Sequence, residues 1–219
     1  MTGWIIAAAE LRIPWGSSLA AHRMVVVADE AGALRRQLNG LASWFDRASG
    51  TWRHKPIGYL PSDRLRVYDT NSHPHTWMPV NGVAPGSRDI SPAIRSGAAR
   101  VLAEGLSETG AAGRLAPALQ AMTRINALSA GPDGGAGLPY PFLGFGPNSN
   151  SVFATLLAVM GFGTPVFSQP AVLAPGAGRL VLPRPEIAAI RADYSDLGTS
   201  GAMKPEIAEA IASTPSAVG

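Results

Sequence analysis

Cysteine is missing from this 219-residue chain, which excludes disulfide bridges, thiolate metal centres and a cysteine nucleophile. Charge is scarce as well: only 15% of residues are Asp, Glu, Lys or Arg, and the formal net charge is +3. The basic residues Arg35, Arg36, Arg53, Lys55, Arg64 and Arg66 are dispersed along the chain, without an interleaved aromatic and basic stripe, so nucleic acid is not an expected partner. No apolar run approaches the ~20 residues that span a bilayer, and no transmembrane segment is expected. The segment Met1-Thr2-Gly3-Trp4-Ile5-Ile6-Ala7-Ala8-Ala9-Glu10 has no basic region and meets Glu10 early, unlike a signal peptide. The expectation is a soluble protein, cytoplasmic or exported without a recognisable N-terminal leader.

What is present supports one sizeable core. Hydrophobic residues make up 46% of the chain, and the 25 Gly and 19 Pro predict many turns and few long regular elements. Residues 4–13 read as a strand ended by Pro14. Met24-Val25-Val26-Val27-Ala28-Asp29, a turn at Glu30-Ala31-Gly32 and a returning strand to Asn39 form the clearest hairpin. Asn39-Gly40 reads as its end, a dipeptide that takes positive φ readily. Residues 41–48 fit a short helix or a strand, and Leu65-Arg66-Val67-Tyr68-Asp69 alternates as a strand does. Two helices are expected next, from Pro92 to about Leu106 behind Ser91, and over about 112–129. Gly131 to Gly137 reads as a flexible linker, since it lacks the Lys-Ser or Lys-Thr ending of a phosphate loop. A helix from Asn148 to about Met160, a short strand at Leu180-Val181-Leu182 and short helices at 186–193 and 205–212 complete the reading. The fold class expected is α+β: a small antiparallel sheet, a central helix packed on it, and a helical insertion at about 70–137. The whole reads as one domain over 1–183, followed by a C-terminal extension over 184–219, partly disordered.

The stretch Gly146-Pro147-Asn148-Ser149-Asn150-Ser151-Val152-Phe153 is the most informative. It sets a tight turn and a cluster of small polar groups before an apolar helix. A helix N-terminus presents free N–H groups and the positive end of the dipole, which suits a nucleophile with half an oxyanion hole. The same place also suits a Ser or Asn that does no more than cap the helix. Both readings of Ser149 stand on sequence alone.

Two segments together carry a resemblance. Ala21-His22-Arg23-Met24-Val25-Val26-Val27 puts a His at the opening of a β-branched strand, and Asn148-Ser149-Asn150-Ser151-Val152-Phe153 opens a helix far downstream. That order resembles the circularly permuted papain-like group, which includes lecithin retinol acyltransferase-like proteins, deSUMOylating isopeptidase-like proteins and permuted NlpC-type peptidases. The resemblance spans about residues 4–45 and 138–163. Ser149 stands where that group has its cysteine, and Phe153 lies one residue later than its pattern. The resemblance implies a hydrolase or acyltransferase acting on an amide or ester of a peptide, acyl or protein substrate. Ser149 would attack, His22 would take its proton, and the Ser149 N–H would supply part of the oxyanion hole. Asn148, Asn150 and Asn39 would fill oxyanion or orienting roles, and the third catalytic group would be Asn39, Asp69 or none. No cofactor and no metal are called for. The alternative is a non-catalytic relative whose groove binds a peptide, an acyl group or a protein.

The exchange of sulfur for oxygen bears on that choice. A helix N-terminus and an imidazolium lower a thiol's pKa readily, whereas a serine hydroxyl needs an aligned general base during attack. The other histidines offer less. His73 and His75 flank Pro74, four and six residues after Asp69. They make a metal-like cluster without clear further ligands, and the simpler reading is a surface loop. His54 stands between Arg53 and Lys55 and is expected to be exposed.

Overall fold

The computed structural model describes residues 2–15, 18–128, 137–141, 146–167 and 172–194. The fold is α+β, built on a sheet of eight strands with the three longer helices on one face and a short one on the other. Strands β1 (Trp4–Trp15) and β2 (Ser18–Ala28) form a long hairpin in unbroken register, from Ile5 opposite Ala28 to Trp15 opposite Ser18. Strand β3 (Leu34–Asp46) returns beside β2, and then pairs on its two edges with β4 (Thr51–Lys55) and β5 (Arg64–Asp69). Residues 41–48, open between helix and strand from sequence, thus continue β3 up to Asp46.

Both faces of the central strands are covered, so their sequences run apolar without alternating. Ile6, Ala8, Val25, Val27, Leu38 and Ala42 face the helices. Ile5, Ala7, Ala9, Met24, Val26 and Ala28 face the other way, against Val80, Ile90 and Ala93 of the segment that follows β5.

Downstream of that segment the structure departs from expectation. The helix expected to reach Leu106 stops after one short piece, α1 (Ser91–Ser96), where Gly97 turns left-handed at φ 73°. Ala99–Leu106 is strand β6, paired antiparallel with the free edge of β1. Ala, Leu and Glu in this stretch favour helix locally, and the unpaired edge of β1 overrides them. The insertion at 70–137 is therefore not wholly helical: it completes the sheet.

Helix α2 (Glu108–Ala127) is capped by Ser107, whose hydroxyl accepts from the Gly110 N–H, and buries Ala111, Leu115, Ala118, Met122 and Ile125 along one stripe. After the short β7 (Leu138–Pro139), helix α3 (Ser149–Val159) packs on β2 and β3 and against α2, with Val152, Phe153, Leu156 and Leu157 fully buried. The two-residue β8 (Val172–Leu173) joins β2 in parallel.

Residues 180–182 form no strand. The Val181 N–H is satisfied by the Thr155 hydroxyl of α3 instead, at 2.8 Å. Helix α4 (Arg184–Asp193) follows, and its Ile187 and Ile190 enter the same core as α2 and α3. The boundary expected at 183 does not separate α4 from the domain. The linker expected at 131–137 lies outside the described residues except for Gly137, as does the helix expected at 205–212. No described helix is long and apolar enough to cross a membrane.

Gly40 sits in mid-strand, not at a hairpin end, and for a different reason from backbone freedom. A Cβ there would come within 2.7 Å of the Val152 Cβ and 3.1 Å of the Ser149 Cα. The absence of a side chain lets α3 lie directly on β3. Gly40→Ala is expected to lower stability by about 1–3 kcal/mol through overpacking, measurable by urea unfolding. An unchanged midpoint would mean that α3 can move away at no cost.

Candidate functional site

The N-terminus of α3 is where the sequence-derived site residues were expected to converge. Asn148, not Ser149, is the cap. Its Oδ1 accepts from the N–H groups of Asn150 and Ser151 at 2.9 and 3.2 Å, and its Nδ2 donates to the Pro175 carbonyl at 2.9 Å. Ser149 is the first helical residue and is 5% exposed.

Asn150 performs a separate task. β3 pairs with β2 only over Val25–Ala28, and β8 pairs with it only at Leu19 and Ala20. Between them, β2 has a stretch of edge with no partner strand. The Asn150 side chain fills it: Oδ1 accepts from the Arg23 N–H at 3.0 Å, and Nδ2 donates to the Ala21 carbonyl at 2.9 Å. One primary amide, with a donor and an acceptor side by side, stands in for a peptide unit of the absent strand. Nδ2 also reaches the Pro175 carbonyl at 3.1 Å, while the Ser151 hydroxyl donates to the Gly176 carbonyl at 3.0 Å. Gly176, at φ 78°, admits no side chain, since a Cβ would lie 2.5 Å from the Asn148 Oδ1.

Ser149 and His22 do not meet. His22 lies opposite Leu11 in the unbroken β1–β2 register, two residues from Met24, and so shares the face of Met24, Val26 and Ala28. Its neighbour Arg23 takes the other face, where it approaches Glu10 at 3.6 Å and stacks on Phe167 of the helix-side core. Ser149 lies on that helix side, over Gly40. The sheet stands between the hydroxyl and the imidazole, and this corrects the expected nucleophile–base pair. The sequence suggests that His22 opens a strand; it lies inside β2, and the face it takes depends on register.

Ser149 Oγ is instead 3.4 Å from the Tyr140 hydroxyl. Burial raises the Tyr140 pKa, against a smaller lowering by the contact with Ser149, so the phenol stays protonated near neutrality and is a poor base. It is also held in place: its N–H donates to the Asp63 carbonyl at 2.9 Å, and a Cβ on Gly58 would lie 2.3 Å from its ring.

His22 is 1% exposed, and burial pulls its pKa down to about 4, opposed by the Asn39 side chain. Asn39 is thus brought to His22, on the same face of the adjoining strand. Neither imidazole nitrogen has an aligned hydrogen-bond partner, and the Asn39 Oδ1 is unpartnered too. The Asn39 Nδ2 donates to Gln37 Oε1 at 3.1 Å and to the Thr76 carbonyl at 3.3 Å, and Gln37 in turn exchanges hydrogen bonds with the backbone of Met78. This buried polar row pins the segment after β5 over the sheet.

A second cluster, not legible in the sequence, occupies the outer half of that same face. The register sets His54 and Arg64 opposite Ser43, and Tyr68 opposite Asn39. Tyr68 donates its hydroxyl to Ser43 Oγ at 2.8 Å, and its pKa is raised by burial. His73 and His75 fold back over these strands. Ring centroids are 5.3 Å apart for His54 and His75, 6.0 Å for His73 and His75, and 5.3 Å for Tyr68 and His73. Every histidine except His22 is in this group. His54 is half-buried, not exposed as expected, and its pKa is lowered by burial and by the nearby His75. The pKa of His73 falls for the same reasons, opposed by Asp69.

Arg66 completes the group. Its guanidinium stacks on Trp52 at 4.4 Å, while its Nε and Nη1, like His73 Nδ1, are buried without a hydrogen-bond partner. Asp69, the remaining candidate for a third catalytic group, is engaged by Arg36 in a two-pronged pair and accepts from the Asn71 N–H at 3.0 Å, so its carboxylate is committed at the end of β5. Among the described residues no three His, Asp or Glu side chains are placed to hold a metal ion.

Comparison with protein-family models, with curated proteins and with solved structures finds no match to this chain.

Proposed function

We propose that this protein is a binding module, the non-catalytic alternative of the two function classes, and that it takes an anionic ligand on the outer face of the β3–β4–β5 sheet. One observation carries the reading. Arg66 and His73 hold buried polar atoms without partners beneath a half-exposed surface, and the carboxylate at hand, Asp69, is already engaged by Arg36. A buried guanidinium donor without an acceptor is costly, as is a buried imidazole nitrogen without a partner, and a ligand's carboxylate or phosphate would supply what Arg66 lacks.

The hydrolase reading draws support from Ser149 at a helix N-terminus beside Tyr140. It needs a base, and a buried tyrosine with a raised pKa is a weak one. The Asn148, Asn150 and Asn39 side chains, given oxyanion or orienting roles in that reading, are committed to the helix cap, the β2 edge and the Gln37 and Thr76 contacts.

The two readings separate in one pair of measurements on the full chain. A fluorophosphonate probe is expected to leave Ser149 unlabelled, and acetate or phosphate is expected to perturb tryptophan fluorescence in wild type but not in Arg66→Gln. Covalent labelling at Ser149 that Ser149→Ala abolishes would overturn the binding reading in favour of the hydrolase.

A further inference from the structure

Resting on that reading, we infer that the ligand of this face is a tetrahedral oxyanion of the phosphate-monoester class, received by Arg66, His54 and His73. The argument begins with charge. Besides Arg66 and the three imidazoles, the charged groups facing the cluster are Asp69, paired with Arg36, and Arg64, whose Nη1 is turned to the Pro61 and Asp63 carbonyls at 3.2 and 3.3 Å. On the hairpin behind, Asp46 is taken by Ser49 and Arg53. No carboxylate among the described residues is left for Arg66.

Direction is the second element. A planar carboxylate is satisfied by a single guanidinium fork. Here the polar atoms come from separate elements: Arg66 from β5, His54 from β4, and His73 with His75 from the segment beyond β5. Donors converging from several sides match an acceptor with three terminal oxygens. The guanidinium lies 4.4 Å from the Trp52 ring centroid and beside the Tyr68 hydroxyl, which leaves its unpartnered Nε and Nη1 to the ligand. His75, the exposed member, stands at the mouth.

The occupant's charge follows from the same groups. His54 and His73 are held neutral in the empty site by burial and by His75; an entering dianion reverses that balance and draws protons onto them. A phosphate monoester carries its second charge above pH about 6. Affinity therefore rises as pH falls from 8, while the imidazoles gain protons, and falls again below about 6 as the ligand loses charge.

The test is calorimetric titration of the full-length protein with phenyl phosphate, inorganic phosphate and benzoate, with EDTA present throughout. Phenyl phosphate is expected to bind at least about tenfold more tightly than benzoate at pH 7, and Arg66→Gln to weaken it by about tenfold or more. His75→Gln, on an exposed residue that does not threaten folding, is expected to flatten the pH profile and weaken binding less. Inorganic phosphate separates a site for the free ion from one that also needs the ester's organic group. Benzoate binding as tightly as phenyl phosphate, with the same dependence on Arg66, would overturn the tetrahedral assignment and leave the binding reading standing. Binding of none of the three would overturn both. Phosphate binding that appears only when zinc replaces EDTA would overturn the direct contact with Arg66.

Discussion

Replacing Asn150 by alanine is expected to destabilise the fold by about 2–6 kcal/mol, whereas replacing Ser149 should cost less than about 1 kcal/mol. The difference lies in what each side chain leaves behind. Asn150 alone serves the Arg23 N–H and the Ala21 carbonyl, at 3.0 and 2.9 Å, on a stretch of β2 that neither β3 nor β8 reaches. With alanine both backbone groups remain buried and unpartnered, each at about 1–3 kcal/mol. Pro175, the third partner, keeps the Asn148 amide. Among the described residues the Ser149 hydroxyl has one hydrogen-bond partner, the Tyr140 hydroxyl at the long distance of 3.4 Å, and it serves no backbone group. Asn150→Asp should also destabilise, because it keeps the acceptor for Arg23 but loses the donor to Ala21. Urea unfolding of the three variants measures this directly. If Ser149→Ala and Asn150→Ala cost the same, the amide does not replace a strand, and the motif is a cap alone.

That contrast marks how far the sequence is legible here. Asn148 to Phe153 announces a capped apolar helix, and such a helix is what forms. The β1–β2–β3 meander is equally open to reading, because long β-branched runs such as Met24 to Ala28 suit strands buried on both faces. The role of Asn150 is not legible, since it depends on β3 leaving β2 after Val25 in order to meet β4 and β5. Gly40 misleads for a similar reason: local chemistry suggests a turn, while the space it leaves is needed by a helix more than a hundred residues downstream. β6 misleads most, because its composition favours helix and only the open edge of β1 makes it a strand.

The candidate site is a matter of register. His54 on β4, Arg66 and Tyr68 on β5, and His73 beyond β5 come from three segments, and the pairing of β4 and β5 with β3 is what brings them to one face. In the sequence they are isolated polar residues, which is why dispersed basic charge reads as a solvated surface. Conversely, the strand-His and helix-Ser order that suggests a catalytic pair says nothing about which face the His takes. Parity along β2 decides it, and it puts His22 among Met24, Val26 and Asn39.

From that burial follows the second large effect, a loss of stability in mild acid that belongs to His22. Its folded pKa, about 4, lies below the ordinary value of 6.5 because burial penalises the imidazolium. The unfolded chain therefore binds a proton between those values that the folded chain refuses, and stability rises with pH across this window. The contribution is fully present above pH 6.5, declines as the pH falls towards 4, and levels off below. A gap of this size corresponds to about 3 kcal/mol. His54 and His73, also lowered, act in the same direction but are only half-buried, so the diagnostic quantity is a difference between proteins. Urea unfolding at pH 7.5, 5.5 and 4.5 should show wild type losing about 2.5 kcal/mol more than His22→Leu over that range. The leucine variant is expected to be no less stable than wild type at pH 4.5, since it removes ring nitrogens that have no aligned partner and a proton that has no place to go. Equal losses in the two proteins would mean that His22 is solvated in the native state, and that the row from His22 through Asn39 and Gln37 to Met78 does not seal this face of the sheet.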